Sequence, residues 1–103
     1  MMIQVRLIVE FEFETGKLAR LEAFTLHVNA HGGSLESSVK VVKGMTLFLT
    51  NPGLGLRESC RVVDVHNSED GLFAVAFEFD RPIPHFWPIA FPPKDWNLVP
   101  AND

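Results

Sequence analysis

The sequence predicts an all-β fold of six or so antiparallel strands, a barrel or a sandwich, and three observations carry that prediction. Apolar residues recur at period two in several runs, which is the pattern of half-buried strands. Turn signals rich in Gly, Asn and Pro separate those runs at roughly ten-residue spacing, as in small barrels and sandwiches. No stretch of useful length carries an apolar period of 3.6, so at most one short helical turn is expected. A closed barrel is favoured because a small open sheet would leave its edges unprotected.

The first run is the clearest. Ile3, Val5, Leu7, Val9, Phe11 and Phe13 share one parity, while Gln4, Arg6, Glu10, Glu12 and Glu14 share the other, with Ile8 as the exception. Thr15-Gly16-Lys17 supplies a turn, and Leu18 to Val28 returns as the hairpin partner. That partner changes phase: Leu21 and Ala23 have one parity, Phe24, Leu26 and Val28 the other, so a bulge is expected near Glu22–Ala23. Asn29-Ala30-His31-Gly32-Gly33 reverses the chain, since glycine accepts positive φ at little cost. A short strand around Ser34–Ser37 follows, then a connection through Val39–Lys43 closed by Gly44. Met45 to Thr50 reads as a strand, Asn51-Pro52-Gly53 with Gly55 as a loop, and Arg57 to His66 as a long strand. Asn67 to Gly71 is a hairpin signal. Leu72 to Phe79 then alternates, with Phe73, Val75, Phe77 and Phe79 on one face.

Residues 78–96, EFDRPIPHFWPIAFPPKDW, hold both tryptophans and prolines at 82, 84, 88, 92 and 93. That density excludes a regular helix and removes donors from any sheet ladder. Residues 1–80 are therefore expected to form the barrel and residues 81–103 a stiff Pro/aromatic tail packed on it, within one domain. Pro93 to Asn97 is the candidate helical turn, with proline tolerated at its start. The rings of Phe86, Trp87, Phe91 and Trp96 have two readings. They cap the barrel, each contributing about 2 kcal/mol or more when buried, or they anchor a partner, for which Phe86, Trp87 and Trp96 are the candidates.

At 103 residues, with 47% hydrophobic and 21% charged residues, the chain is a single globular domain. A formal net charge of −4 argues against a general nucleic-acid or anionic-membrane binder. The single cysteine, Cys60, excludes an internal disulfide and fits a reducing compartment. The N-terminal run alternates and carries acids from Glu10 on, unlike a signal segment or a membrane span. A cytoplasmic protein is the expectation.

With the glycine turn and the tail placed, the chain resembles a PilZ domain, and more narrowly the short stand-alone PilZ-like proteins of acidobacterial type. Four passages carry the resemblance: HVNAHGG (His27–Gly33), KGMTLFLTNP (Lys43–Pro52), CRVVDV (Cys60–Val65) and AFEFDRPIPHFWPIAFPPKDW (Ala76–Trp96). They follow the family order over roughly residues 3–97, and the tail is the specific part. The resemblance implies a six-stranded antiparallel barrel and, in many members, a receptor for cyclic di-GMP. Binding members carry an RxxxR arm before the first strand, whose guanidinium groups grip phosphate and stack on guanine. Here that register falls at or before Met1 and Met2, and Arg6 lies too late to take the role. The second motif, D/N-x-S-x-x-G, falls on Val28 to Gly33, where only Gly33 matches; Val28 and Ala30 replace the base-reading and hydroxyl residues. If a nucleotide binds, Asn29, His31 and Gly33 are the residues that remain to meet it.

Other constellations have plainer readings. His27 and His31 are four apart, but they flank a turn rather than sit on a helix, so no metal site is expected. Cys60, Asp64 and His66 share a parity, yet Cys60 and Asp64 lie about 13 Å apart along an extended strand, too far for a nucleophile and its base. Glu10, Glu12 and Glu14 read as a solvated outer face. Asn51 to Gly55 is no phosphate loop, because neither a lysine nor a helix start follows. No catalytic residue and no cofactor is assigned. The expected function is a non-catalytic PilZ-like module that binds a protein partner or itself, with degenerate cyclic di-GMP motifs. The alternative is a cyclic di-GMP receptor whose arginine arm lies outside this chain or whose binding mode is altered.

Overall fold

Six strands close into an antiparallel barrel: β1 (Arg6–Glu12), β2 (Leu18–Asn29), β3 (Gly32–Ser37), β4 (Thr46–Asn51), β5 (Leu56–Asn67) and β6 (Phe73–Phe79), in the spatial order β1-β2-β3-β6-β5-β4. The structure is a computed structural model and describes residues 2–13 and 15–88. Among these the only helical pieces are two 3-10 turns, Glu69–Gly71 and Pro84–Phe86. The candidate turn at Pro93–Asn97 lies outside the described residues.

Register places the connections at two ends. The start of β1, the β2–β3 turn, the β4–β5 loop and the chain leaving β6 share one end, called here the tail end. The β1–β2 hairpin, the β3–β4 connection and the β5–β6 hairpin share the other, the hairpin end. Between them the interior is filled from every strand by alternate residues, including Leu7, Val9, Phe11, Leu35, Leu47, Leu49, Val62, Val75 and Phe77. Burial of such side chains, about 1.5–3 kcal/mol each, is what closes the barrel.

Two expectations about phase need correction. The β1–β2 ladder runs without interruption from Arg6↔Phe24 to Glu12↔Leu18, so there is no bulge at Glu22–Ala23. The bulge sits at Leu26, between the pairs Thr25↔Leu35 and His27↔Ser34. Phe24 is 42% exposed, and Thr25 takes the inward position instead. Its hydroxyl accepts from the Val5 N–H at 2.7 Å and donates to the Ile3 carbonyl at 2.6 Å, which satisfies it inside the barrel. Phe13 also departs from the expected face: it is 44% exposed and packs edge-on against Phe11, centroids 5.2 Å apart.

The second long strand, β5, bulges at Val63, between Val62↔Phe77 and Asp64↔Ala76. Cys60 and Val62 therefore point inward while Asp64 and His66 point out, so the expectation that Cys60, Asp64 and His66 share a face is overturned. Both 12-residue strands wrap far enough around the barrel to require a phase change. Closure is narrowest at the β1–β4 seam, which is paired only over Ile8–Glu10.

Candidate functional site

The tail end holds most of the residues singled out by the sequence. Val28 is fully buried, Asn29 is exposed, Ala30 is buried and His31 is half-buried as the chain turns from β2 into β3. Asn29 Oδ1 accepts from the His31 N–H at 2.8 Å, an Asx turn that sets the reversal. Gly32 is required by close approach: a Cβ there would lie 2.2 Å from the Phe77 carbonyl oxygen. At Gly33 a Cβ would lie 2.4 Å from the His27 carbonyl oxygen, so this glycine lets two strands close on each other.

The segment leaving β6 is laid directly on this turn. The Phe79 N–H donates to the His31 carbonyl at 2.7 Å and the Ile83 N–H to the Ala30 carbonyl at 2.7 Å. Trp87 Nε1–H donates to the Asn29 carbonyl at 2.8 Å. The Asn29 and Ala30 carbonyls are thus engaged by the tail, while the Phe79–His31 bond extends the β3–β6 ladder by one residue. From the opposite side Asn51, buried at the end of β4, donates its Nδ2 to the Phe86 carbonyl at 2.8 Å.

Ile83, Phe86 and Trp87 then plug the barrel. Phe86 is 0% and Trp87 2% exposed, and the two rings meet edge-on at 5.0 Å. Phe79 packs against both, at 5.3 Å and 6.1 Å, and Phe77 reaches Trp87 at 6.2 Å. Of the two readings of these rings, the described structure has Phe86 and Trp87 packed into the barrel mouth. Proline at 82 and 84 bends the chain across the barrel mouth, and the rings fall inward because that mouth is apolar. Phe91 and Trp96 lie outside the described residues.

Beside the plug is a depression of about 560 Å³, lined by Ile3, Gln4, Arg6, Pro52, Leu54 and Pro88 among others. Arg6 is paired there with Glu22. His27 is exposed on the outer wall of β2. Among the described residues no three His, Cys, Asp or Glu side chains come together as a metal-ligand group.

Elsewhere the candidate groups separate. Cys60 is buried, and desolvation pushes its thiol up to about 12, with a smaller upward push from Asp80 and a downward pull from a hydrogen bond to the Leu47 backbone. Asp64 Oδ2 and His66 Nε2 pair at 2.9 Å on the exposed wall, turned away from that thiol. Glu10 and Glu12 stand on the outer face of β1, where Glu10 lies 3.6 Å from Arg57, whose guanidinium covers Phe48 at 4.6 Å. Glu14 lies outside the described residues.

Sequence reasoning missed Thr25, Asn51 and Ile83, which hold the tail end together. A threonine inside an apolar run and an asparagine closing a strand were the available signals, but both are also ordinary turn and strand residues. No described helix is long and apolar enough to cross a membrane. Comparisons with protein-family models, with curated proteins and with solved structures find no match for this chain.

Proposed function

We propose that this chain is a non-catalytic, PilZ-like interaction or signalling module of the cytoplasm, in which the turn that carries the nucleotide motif of that family serves as a seat for the chain's own tail. One observation carries the reading: the Asn29 and Ala30 carbonyls accept hydrogen bonds from Trp87 and Ile83 of the tail. A turn held this way has two of its carbonyls committed, and the side chains of the buried Val28 and Ala30 offer no polar atom to a guanine base. Binding would then be a matter of surface complementarity, with no group required to ionise or attack.

Titration calorimetry of cyclic di-GMP into the chain tests this. The expected result is no heat of binding up to high micromolar ligand and no thermal stabilisation. Micromolar binding that is lost in His31→Ala would overturn it. The second reading, a receptor with an altered mode, is favoured by the depression beside the plug, where Gln4 and Arg6 face the β4–β5 loop. Binding that survives His31→Ala but fails in Arg6→Ala would select that reading.

A further inference from the structure

The cations of the described residues divide into those that meet a carboxylate and those, such as Arg20 on β2, that make no ion pair among them. On the wall, Arg6, Arg57 and Arg61 each meet a carboxylate, from Glu22, Glu10 and Glu78 respectively. At the hairpin end, Lys40 and Lys43 are exposed and make no ion pair among the described residues. They flank a depression of about 700 Å³ with buried Phe11 and Val41 in its floor and exposed Phe13 and Val42 at its rim. Glu12 also lines it, so among the described lining residues two ammonium groups stand against one carboxylate, on a chain of net charge −4.

The backbone beside this depression has a direction. Val5 accepts from the Thr25 N–H and Phe13 donates to the Lys17 carbonyl, so odd-numbered residues of this run turn their peptide groups toward β2. Even-numbered residues turn the other way, and Ile8 and Glu10 meet β4 there. Glu12 is the next even position, but β4 pairs with β1 no further than Glu10. The peptide groups of Glu12 are therefore directed at the place where the seam opens into the depression, as an edge that an added strand can use.

We propose that the hairpin-end depression docks an acidic, extended segment of a partner protein. The segment adds to the edge of β1 past Glu10, seats an apolar side chain against Phe11 and Val41, and brings flanking carboxylates to Lys40 and Lys43. An extended peptide is favoured over a lipid surface because the site is concave and bordered by a strand edge. The proposal rests on the reading of the domain as an interaction module and names the partner class for it.

The test is a titration of the full isotope-labelled chain, followed by amide chemical shifts, with the peptide acetyl-Asp-Asp-Val-Phe-Val-Asp-Asp-amide. Shifts are expected to concentrate at Glu12, Phe13 and residues 40–45. The double variant Lys40→Glu, Lys43→Glu, whose side chains are exposed and outside the core, should bind at least about tenfold more weakly. No shifts at millimolar peptide would overturn the proposal. So would equal shifts from the same peptide with lysine in place of aspartate, or shifts produced only by phosphatidylserine vesicles. Cyclic di-GMP added to the same sample separates the two readings: shifts at Asn29–Gly33 would overturn the module itself, whatever the peptide does.

Discussion

Replacing Trp87 with alanine decides whether the tail belongs to the core. The indole is 2% exposed, touches Phe77, Phe79 and Phe86, and donates to the Asn29 carbonyl. A buried tryptophan removes up to about 250 Å² from water, which at about 25 cal/mol per Å² sets an upper bound near 6 kcal/mol. Truncations of this kind cost about 3–5 kcal/mol once the cavity is included. The deserted Asn29 carbonyl adds about 1 kcal/mol. For a domain of this length the whole stability is about 5–15 kcal/mol. Trp87→Ala should therefore bring the barrel close to unfolding, whereas Trp87→Phe keeps the ring contacts, loses the hydrogen bond and should cost only about 1–2 kcal/mol. Urea denaturation followed by far-ultraviolet circular dichroism measures both. An alanine variant within about 1 kcal/mol of the parent would refute the reasoning and return Trp87 to the list of partner anchors.

Gly32→Ala drives a Cβ to 2.2 Å from the Phe77 carbonyl oxygen, so the β3–β6 ladder must move, and a loss above about 2 kcal/mol in the same denaturation is expected. Thr25→Val keeps the shape but strands the Val5 N–H and the Ile3 carbonyl, at a cost of about 2–3 kcal/mol; amide exchange at Val5 should accelerate in proportion. Cys60, with its thiol pushed up to about 12, keeps its proton in the fold over a range where the unfolded chain releases it. Stability is thus full below the ordinary thiol range and falls as pH rises from about 9 toward 12, by at most about 1.4 kcal/mol per pH unit. The difference in urea midpoint between Cys60→Ala and the parent should shift in the variant's favour over that range; parallel pH profiles would show that the thiol ionises as freely in the fold as outside it.

Approximate strand number and position were legible because β1, apart from Ile8, and one face of β6 alternate and the turns between elements carry Gly, Asn or Asp. Phase was less legible. At β2 the sequence announces a bulge through the switch from Ala23 to Val28, but hydrophobicity alone places it wrongly, because Phe24 is apolar and outside while Thr25 is polar and inside. At β5 the same signal exists, Cys60 and Val62 giving way to Val63 and Val65, and a single-phase reading hides it. The tail was legible as apolar and kinked. Its partners were not, because the Asn29 and Ala30 groups that receive it are main-chain carbonyls, which every residue supplies.

The same carbonyls fix what a nucleotide at the β2–β3 turn would have to overcome. A ligand that needed the backbone of Asn29 to His31 in another conformation would first have to lift Trp87 and Ile83 from the barrel mouth. If that costs the 3–5 kcal/mol of a buried tryptophan, intrinsic affinity falls by about two to nearly four powers of ten. A ligand of micromolar intrinsic strength would then bind in the high micromolar to millimolar range. Trp87→Phe lowers that barrier by removing one of the tail's two hydrogen bonds to the turn while leaving an aromatic plug, so it should raise the affinity of any ligand held behind the tail. A ligand whose affinity is unchanged by Trp87→Phe either binds elsewhere, as the Arg6 depression or the Lys40–Lys43 site would require, or leaves the tail in place. The plug makes the two ends of the barrel separable by experiment: what competes with the tail reports on the turn, and what ignores it reports on the rest of the surface.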